Sequence, residues 1–480
     1  LGTSTPQLLQ CSKFLKKEQQ VDSNPSNAKD LEPYWNDFCA EISSRLSSAA
    51  DLISQSSPAN FLSMQTLERS WFSVKLSQVQ NKNSQQIFSP SSMSSLLACT
   101  DLEDTVERSK KIRVYPTVAQ RAEFTRWHDA SRWCYNKTVE FLTALKGQTP
   151  DWRELAPLVL MGVPNRFYDV PYQIKKIAVR DVVRAFALNK KLVKQGKRTH
   201  FNLSWRTSKD PKQSCFIPST ALKGGGIYHT LTGKLHCAES LPDTPKDSRL
   251  IRHRGRWYLS VSHKKTTTRA ETQGRVVAID PGVRKFITLF SDNEIFGSIG
   301  AGDGGFKKLF KLGLHADRLI SRMKKEPKRS RGLKRALDRL KNRISDLVDE
   351  LHNKCVRFLV DTFDVIMLPT YATSQMVVRG HRKIRSKTVR AMLSFKNYQF
   401  ACKLETKALE AGKMVIRNSE AYTSKTDSWH GVIHNKLGSA KRIKIGSVWV
   451  DRDVNGARGY FLRALGDTPA LLECVSKAGM

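Results

Sequence analysis

Asp280 is the residue in this chain with the clearest chemical consequence. An apolar run, Val276-Val277-Ala278-Ile279, carries the backbone into it. Pro281-Gly282 follows, and Phe286-Ile287-Thr288-Leu289-Phe290 reads as a second strand returning beside the first. Val, Ile and Phe bounded by Pro-Gly predict strand, turn, strand. A carboxylate at the end of a buried strand is costly to desolvate unless a cation holds it. The pattern therefore asks which cation Asp280 binds.

The elements that would position this acid come from the rest of the 480 residues, enough for two to four domains. Lys111–Thr117 alternates and stops at Pro116, which suits a strand, and Thr117 is placed to cap a helix through Phe124 and Trp127 toward Asn136. A basic helical region extends to about residue 200. From Phe201 to Val261 short strands alternate with turn residues, the pattern of a small β-barrel. Leu333, Leu337, Leu340, Ile344, Leu347 and Leu351 predict a long helix over 330–360, with Lys334 and Arg335 on its other faces. Those basic residues suit either a solvated face or contact with a phosphate backbone. A strand at Asp364–Leu368 ends at Pro369. A helix over 386–411 closes at Gly412, and strand Lys413–Arg417 follows. This order is that of an RNase H-like sheet, with the last two strands side by side with the first.

Charge narrows the partner. The formal net charge is +37, and in residues 1–100 eight Lys/Arg offset eight Asp/Glu, so the excess lies in residues 101–480. Such a field points to a polyanion, most commonly nucleic acid. No amphipathic Lys/Trp helix or 18-residue apolar run favours a membrane. The nine cysteines form no C-x-x-C pair and read as free thiols. The first hundred residues, rich in Ser, Gln and Asn, read as a loose extension with one amphipathic segment at Leu31–Leu52.

Seven segments in order carry a resemblance: KIRVYPTVAQ (111–120), SRWCYNKTVEF (131–141), VAIDPGVRKFITLF (277–290), LVDELHNKCVRFLV (347–360), KIRSKTVRAML (383–393), AYTSKT (421–426) and DRDVNGARG (451–459). The chain resembles Fanzor, the eukaryotic relative of transposon-encoded TnpB nucleases. The resemblance implies an α/β multidomain protein with an N-terminal extension (1–104) and a WED-type β-barrel (105–135 and 201–268) holding a helical recognition insertion (136–200). It further implies an RNase H-like RuvC nuclease domain (269–426 and 447–480) interrupted by a degenerate zinc-ribbon-like insertion (427–446). The implied activity is RNA-guided DNA cleavage in the nucleus, by a monomer in a ribonucleoprotein with a noncoding guide RNA and a double-stranded DNA target.

RuvC chemistry needs at least three carboxylates around two Mg²⁺ ions. Asp280 fits the first and Asp453 the last, with Asp451 a rival; an N-cap and helix-dipole role for that pair is the plain alternative. The middle acid of TnpB-like proteins falls at Pro369, which cannot ligate. Either the site is dead, or Glu420, just past the neighbouring strand Lys413–Arg417, replaces it, since a Glu side chain spans the gap of about 4.8 Å between adjacent strands. The relatives' two C-x-x-C pairs are replaced by Asp427, His430, Ile443 and Gly446, so no structural zinc is expected, although Asp427, His430 and His434 have ligand spacing. Arg113, Arg132, Asn136, Lys137, Arg254 and Arg256 are candidates for guide or target backbone contacts. Trp127, Trp133, Tyr135, Trp257 and Tyr258 either stack on bases or pack in cores. A nuclease-dead RNA-guided DNA-binding protein and a guide-free RNase H-like nuclease are the competing functional readings.

Overall fold

The computed structural model describes residues 105–145, 149–267, 272–291, 295–300, 305–371 and 373–472 apart from 379, 381, 383, 420–422 and 435–439, with short stretches at 65–66, 74–78, 88, 93–94 and 96–97. The segment Leu31–Leu52 and Glu420 lie outside the described residues. In chain order the principal elements begin with strands β1 (Gln65–Thr66), β2 (Val74–Gln78) and β3 (Thr105–Val114) and helices α1 (Val118–Ala144), α2 (Trp152–Met161) and α3 (Tyr172–Lys194). Strands β4 (Lys212–Ile217), β5 (Ser248–His253), β6 (Arg256–Thr266), β7 (Val276–Pro281), β8 (Ile287–Ser291) and β9 (Ile295–Ile299) follow, then helices α4 (Gly305–Lys325) and α5 (Ser330–Thr362). The last third holds β10 (Val365–Met367), α6 (Ser386–Phe395), α7 (Asn397–Glu410), β11 (Met414–Ile416), β12 (Arg442–Ile445), β13 (Val448–Asp451) and α8 (Arg452–Gly466). The protein is a mixed α/β, multidomain chain of two compact units, one of residues 103–268 and 314–345, the other of 1–102, 269–313 and 346–480.

In the first unit four strands pair antiparallel in the order β3-β6-β5-β4. Strand alternation turns Ile112, Val114, Leu250, Trp257 and Leu259 into a core shared with α1, α2 and α3. The expected barrel is, among the described residues, an open four-stranded sheet closed over by helices, with one extra bridge from Val114 to Cys237. Thr117 caps α1 as expected: its Oγ1 accepts from the Gln120 amide at 3.3 Å, and Gln120 Oε1 accepts from the Thr117 amide at 2.9 Å. The expected boundary at residue 135 falls inside α1, which contains no Gly or Pro to break it. His128 is buried flat against Trp257 and donates from Nε2 to the Leu250 carbonyl at 3.1 Å. Burial holds it neutral, its pKa pushed down to about 4. Leu337 of α5 packs with Ala316 and Leu319 of α4, leaving Lys334, Arg335, Arg339 and Arg343 exposed.

The second unit is built on a seven-stranded sheet of order β1-β2-β9-β8-β7-β10-β11. β7, β10 and β11 run parallel, so the last two strands lie beside the first as the sequence predicts, while β8 and β9 are antiparallel to their neighbours. The N-terminal extension is more than a loose segment: β2 pairs antiparallel with β9, and Phe88, Met93 and Leu97 enter the core. An added strand covers an edge that would otherwise expose unpaired amides and carbonyls. The helix expected over 386–411 is two helices, broken at Lys396 with φ 50°. The buried His352 ring donates to the Phe395 carbonyl at 2.8 Å, taking the acceptor that a continuous helix needs. Gly412, with φ 65°, stands just past the end of α7 as expected.

Asp364 clasps the three parallel strands at their N-terminal ends. It is buried, accepts from the amides of Gln273 and Arg275 at 2.8 and 3.1 Å, and pairs with Lys413. Its own amide donates to the Arg275 carbonyl at 2.8 Å, and its carbonyl accepts from the Met414 amide at 3.0 Å. Asp364→Ala removes the acceptor and leaves the Lys413 ammonium without its partner. It should cost about 3–5 kcal/mol in denaturant unfolding, with Asp364→Asn intermediate.

Candidate acid cluster at the strand ends

The carboxyl ends of β7, β10 and β11 are level because the strands are in register: Met367 lies opposite Ala278, and Ile416 opposite Met367. Two residues further on, Pro369 is level with Asp280. The ladder from β10 to β11 continues past Pro369, with the Thr370 amide donating to the Asn418 carbonyl at 3.0 Å. Residues 276, 278 and 280 share one face of the sheet, and that face is covered by α8.

Each position of the 451–459 segment has a physical task in α8. Asp451 is the N-cap, its Oδ1 accepting from the Asp453 amide at 2.9 Å. Asn455, fully buried, accepts from the Ser428 amide at 2.9 Å and donates to the Thr426 carbonyl at 2.7 Å. Gly456 faces Asp280: a Cβ there would sit 2.9 Å from Asp280 Oδ2. Arg458 is buried, donates to the Ser428 carbonyl and lies 4.5 Å from the Trp429 ring centre. Burial lowers its pKa to about 9, with Asp427 opposing. Gly459 lets the helix close on the Thr423 carbonyl, 3.3 Å from where its Cβ would be. Asp453 and Gly456, three residues apart, lie on the same helical face, so α8 brings Asp453 toward Asp280.

The turn after β7 adds a residue that the sequence reading did not single out. Gly282 donates to the Phe286 carbonyl at 3.1 Å and needs the space of a glycine, because a Cβ would fall 2.9 Å from the Lys285 carbonyl. This folds Lys285 back over the acids. Its ammonium lies 2.9 Å from Asp451 Oδ2 and 3.7 Å from Asp453 Oδ2, with only 17% of the side chain exposed. Desolvation holds the Asp453 carboxyl above the usual carboxylate range, against the pull of Lys285. With cap and ammonium on its two oxygens, Asp451 is committed; of the two rivals, Asp453 is the freer.

Two observations bear on whether a divalent cation fits. The hydroxyls of Thr288, opposite Asp280, and of Ser298, opposite Thr288, are buried without a hydrogen-bond partner among the described residues. They form a row of unused oxygens beside Asp280, suited to a hydrated cation. Lys285 already places a positive group between Asp451 and Asp453. Among the described residues no three His, Cys, Asp or Glu side chains converge as a metal-holding set, and Glu420 is outside them.

At the ribbon-like insertion, Asp427 and His430 bond to each other, Oδ2 to Nδ1 at 2.7 Å, and the other Asp427 oxygen accepts from the Trp429 amide at 2.8 Å. His434 is tied by its backbone to Lys425. Ile443 is buried with Ile445 and Val450 against Trp429, and Gly446 is in the β12–β13 turn with φ 58°. The four positions therefore do not converge: two form a hydrogen-bonded turn and two serve an apolar hairpin.

The basic candidates separate by surroundings. Arg132 pairs with Asp129 at 2.8 Å and Lys137 with Glu140 at 2.8 Å. Asn136 spends its amide on both backbone groups of Arg206 at 2.9 Å, a structural task. Arg113 bonds the Tyr258 hydroxyl at 3.3 Å, and Lys111 lies 4.1 Å over the Tyr258 ring. Arg254 is in the two-residue β5–β6 turn, with Arg256 at the start of β6. Among the aromatics, Trp127, Tyr135 and Trp257 are core, whereas Trp133 and Tyr258 are only partly buried.

This is a mixed α/β chain with Asp280 at the carboxyl end of a parallel strand and Asp453 carried toward it by α8. The Cas12f1-like TNB domain family matches residues 398–459, and a helix-turn-helix domain family matches 106–144, which here form β3 and α1. The chain is 27% identical to the putative transposase A625R of Paramecium bursaria Chlorella virus 1, over 75% of this chain and 87% of that protein. It is 22% identical to the TnpB-like protein L770 of Acanthamoeba polyphaga mimivirus, over 73% of this chain and 72% of that one. A Cas12f1–sgRNA–target DNA complex superposes with TM-score 0.43 and 11% identity, covering 75% of this chain and 99% of that one. The chain is similar to TnpB-like proteins and to a viral putative transposase, as the sequence resemblance implies.

Two substitutions test the cluster. Gly456→Ala should leave the protein folded, displace Asp280 and lower any metal-dependent activity more than it lowers the melting temperature. Lys285→Met should lower the melting temperature of the metal-free protein and tighten Mn²⁺ binding about fivefold, the equivalent of ~1 kcal/mol, in calorimetric titration.

Proposed function

We propose that this chain is an RNA-guided DNA endonuclease of Fanzor type, hydrolysing DNA phosphodiesters at the acid cluster beneath the N-terminus of α8. The observation that carries this reading is the placement of Asp280 at the end of the central strand, with α8 bringing Asp453 to it across Gly456. The sheet order β9-β8-β7-β10-β11 supports an RNase H-like, RuvC-type domain. The β3–β6 sheet with α1–α3 is the counterpart of a WED-type wedge with its recognition insertion. The excess of basic residues supports a guide RNA and duplex DNA as partners of a monomeric protein.

In this reading Asp280, Glu420 and Asp453 hold two Mg²⁺ ions, which when bound supply an activated water and stabilise the leaving oxygen. The protein's own contribution is to fix the acids: the Asp364 clasp levels the strands, Gly456 gives Asp280 its space, and the Asp451 cap orients the first turn of α8. Lys285 neutralises the acids without a cation and has to yield when one enters. The basic face of α5, with Lys334 and Arg335 exposed, is the candidate backbone contact. Action in the nucleus goes with this reading, and the basic run Lys324–Arg329 between α4 and α5 is its candidate import signal.

Two observations favour a second reading, a nuclease-dead RNA-guided DNA binder. Proline stands level with Asp280 where an acid would serve, and a lysine fills the cluster. Sequencing the RNA that copurifies with the protein, then offering a matched duplex with Mg²⁺, decides between them. The expected result is a specific RNA and a cut duplex. Asp280→Ala, Glu420→Ala and Asp453→Ala should each abolish cutting while guided binding persists. Parental cutting by Glu420→Ala would remove Glu420 from the site, and a bound but uncut duplex with the parental chain would establish the second reading.

A further inference from the structure

A cavity of about 500 Å³ opens beside α1 in the first unit, within the size range of small-ligand sites. Its lining includes Arg126, Asp129, Arg132 and Trp133 from α1, with Arg166 and Phe167 from the turn after α2. Trp133 is half-buried and packed against the core of this unit, with Gly162 beside the indole, 3.7 Å from where a Cβ would stand. Its neighbour one turn back, Asp129, holds Arg132 at 2.8 Å, so the guanidinium is oriented before any ligand arrives. Arg126 is held in the same manner by Glu123 at 3.0 Å and Asp169 at 3.5 Å. Arg166 differs. It is exposed, lies 4.8 Å over the Phe167 ring, and forms no ion pair among the described residues.

The balance of these groups identifies the ligand class. A pocket for bare phosphate would collect cations, but here carboxylates accompany two of the three arginines. What the lining offers is an aromatic wall, an acceptor, oriented donors and one free cation. An aromatic wall stacks on a base. A carboxylate accepts from an exocyclic amino group, and a guanidinium donates to base oxygens and ring nitrogens. The free Arg166 suits the adjoining phosphate. Only an unpaired base presents its face and edge to such a wall.

We propose that this cavity receives one unpaired nucleotide of the bound nucleic acid, its base against Trp133, its edge toward Asp129 and Arg132, and its phosphate at Arg166. The inference rests on the nucleic-acid-binding part of the function above, and adds to it a site that reads a single splayed base. Sequence alone leaves Trp133 between packing and stacking; its place in the lining of the cavity separates it from Trp127, which is fully buried.

The test uses the full chain and fluorescently labelled 12-nucleotide single strands, RNA and DNA in separate arms, with a blunt DNA duplex as comparison, read by anisotropy. Trp133→Ala should weaken single-strand binding about tenfold in the arm that supplies the nucleotide, and leave duplex binding unchanged. Trp133→Phe, which keeps an aromatic face, should bind within about twofold of the parent. Arg166→Ala should lower the slope of log affinity against log salt by about 1. Single-strand binding by Trp133→Ala equal to that of the parent would overturn the pocket, as would an equal loss in Trp133→Phe. A parent chain with no affinity for any of these strands or the duplex would instead overturn the functional reading beneath it.

Discussion

The buried carboxylate of Asp364 is the constraint on which the site depends. A charge removed from water is tolerated only when its lone pairs are filled. Asp364 meets that demand by drawing in the amides before β7 and the ammonium before β11, while its backbone joins both strands. Parallel strands have no hairpin to set their register. Fixing three of them at one end fixes the height at which all three finish at the other. Asp280 and Pro369 are level for that reason, and ligand sites in open α/β sheets form at such carboxyl ends.

The second constraint is the approach of α8. A helix crosses a sheet at a distance set by its side chains; the glycine at 456 lets α8 come close to Asp280, and the glycine at 459 lets it close on the loop at Thr423. That closeness has a polar cost, met by Asn455 and Arg458, which fill the backbone groups of Thr426 and Ser428. Packing and chemistry are thus interleaved along one helix. Lys285 completes the arrangement by pairing with Asp451 and by countering the burial that pushes Asp453 toward neutrality.

Much of this was legible in the sequence. The strand ending at Asp280, the helix cap at Thr117, the glycine stop at Gly412 and the order of the parallel strands all follow from local patterns with strong physical causes. What was not legible depended on partners distant in sequence. The break at Lys396 comes from His352 taking the Phe395 carbonyl, and no residue near 396 announces it. Lys285 looked like one more basic residue, because its role exists only once α8 has brought Asp451 and Asp453 to it. The open sheet in place of a barrel, and the pairing of β2 with β9, are likewise long-range outcomes. Asn136 was read by its chemistry as a nucleic-acid contact, but its amide is matched by the backbone of Arg206.

The first turns of α8 have a mechanical consequence. Asp453 and Gly456 face the acid cluster, while Asn455 and Arg458, on the adjoining side of the same helix, grip the loop at Thr426–Ser428. That loop leads to the β12–β13 hairpin through Trp429. Trp429 packs against the hairpin's apolar core and lies under the Arg458 guanidinium, so among the described residues packed side chains join the hairpin to the helix that carries Asp453. One short helix thus carries the acid on one side and the hold on the loop on the other, and the packing of the hairpin bears on the element that positions Asp453.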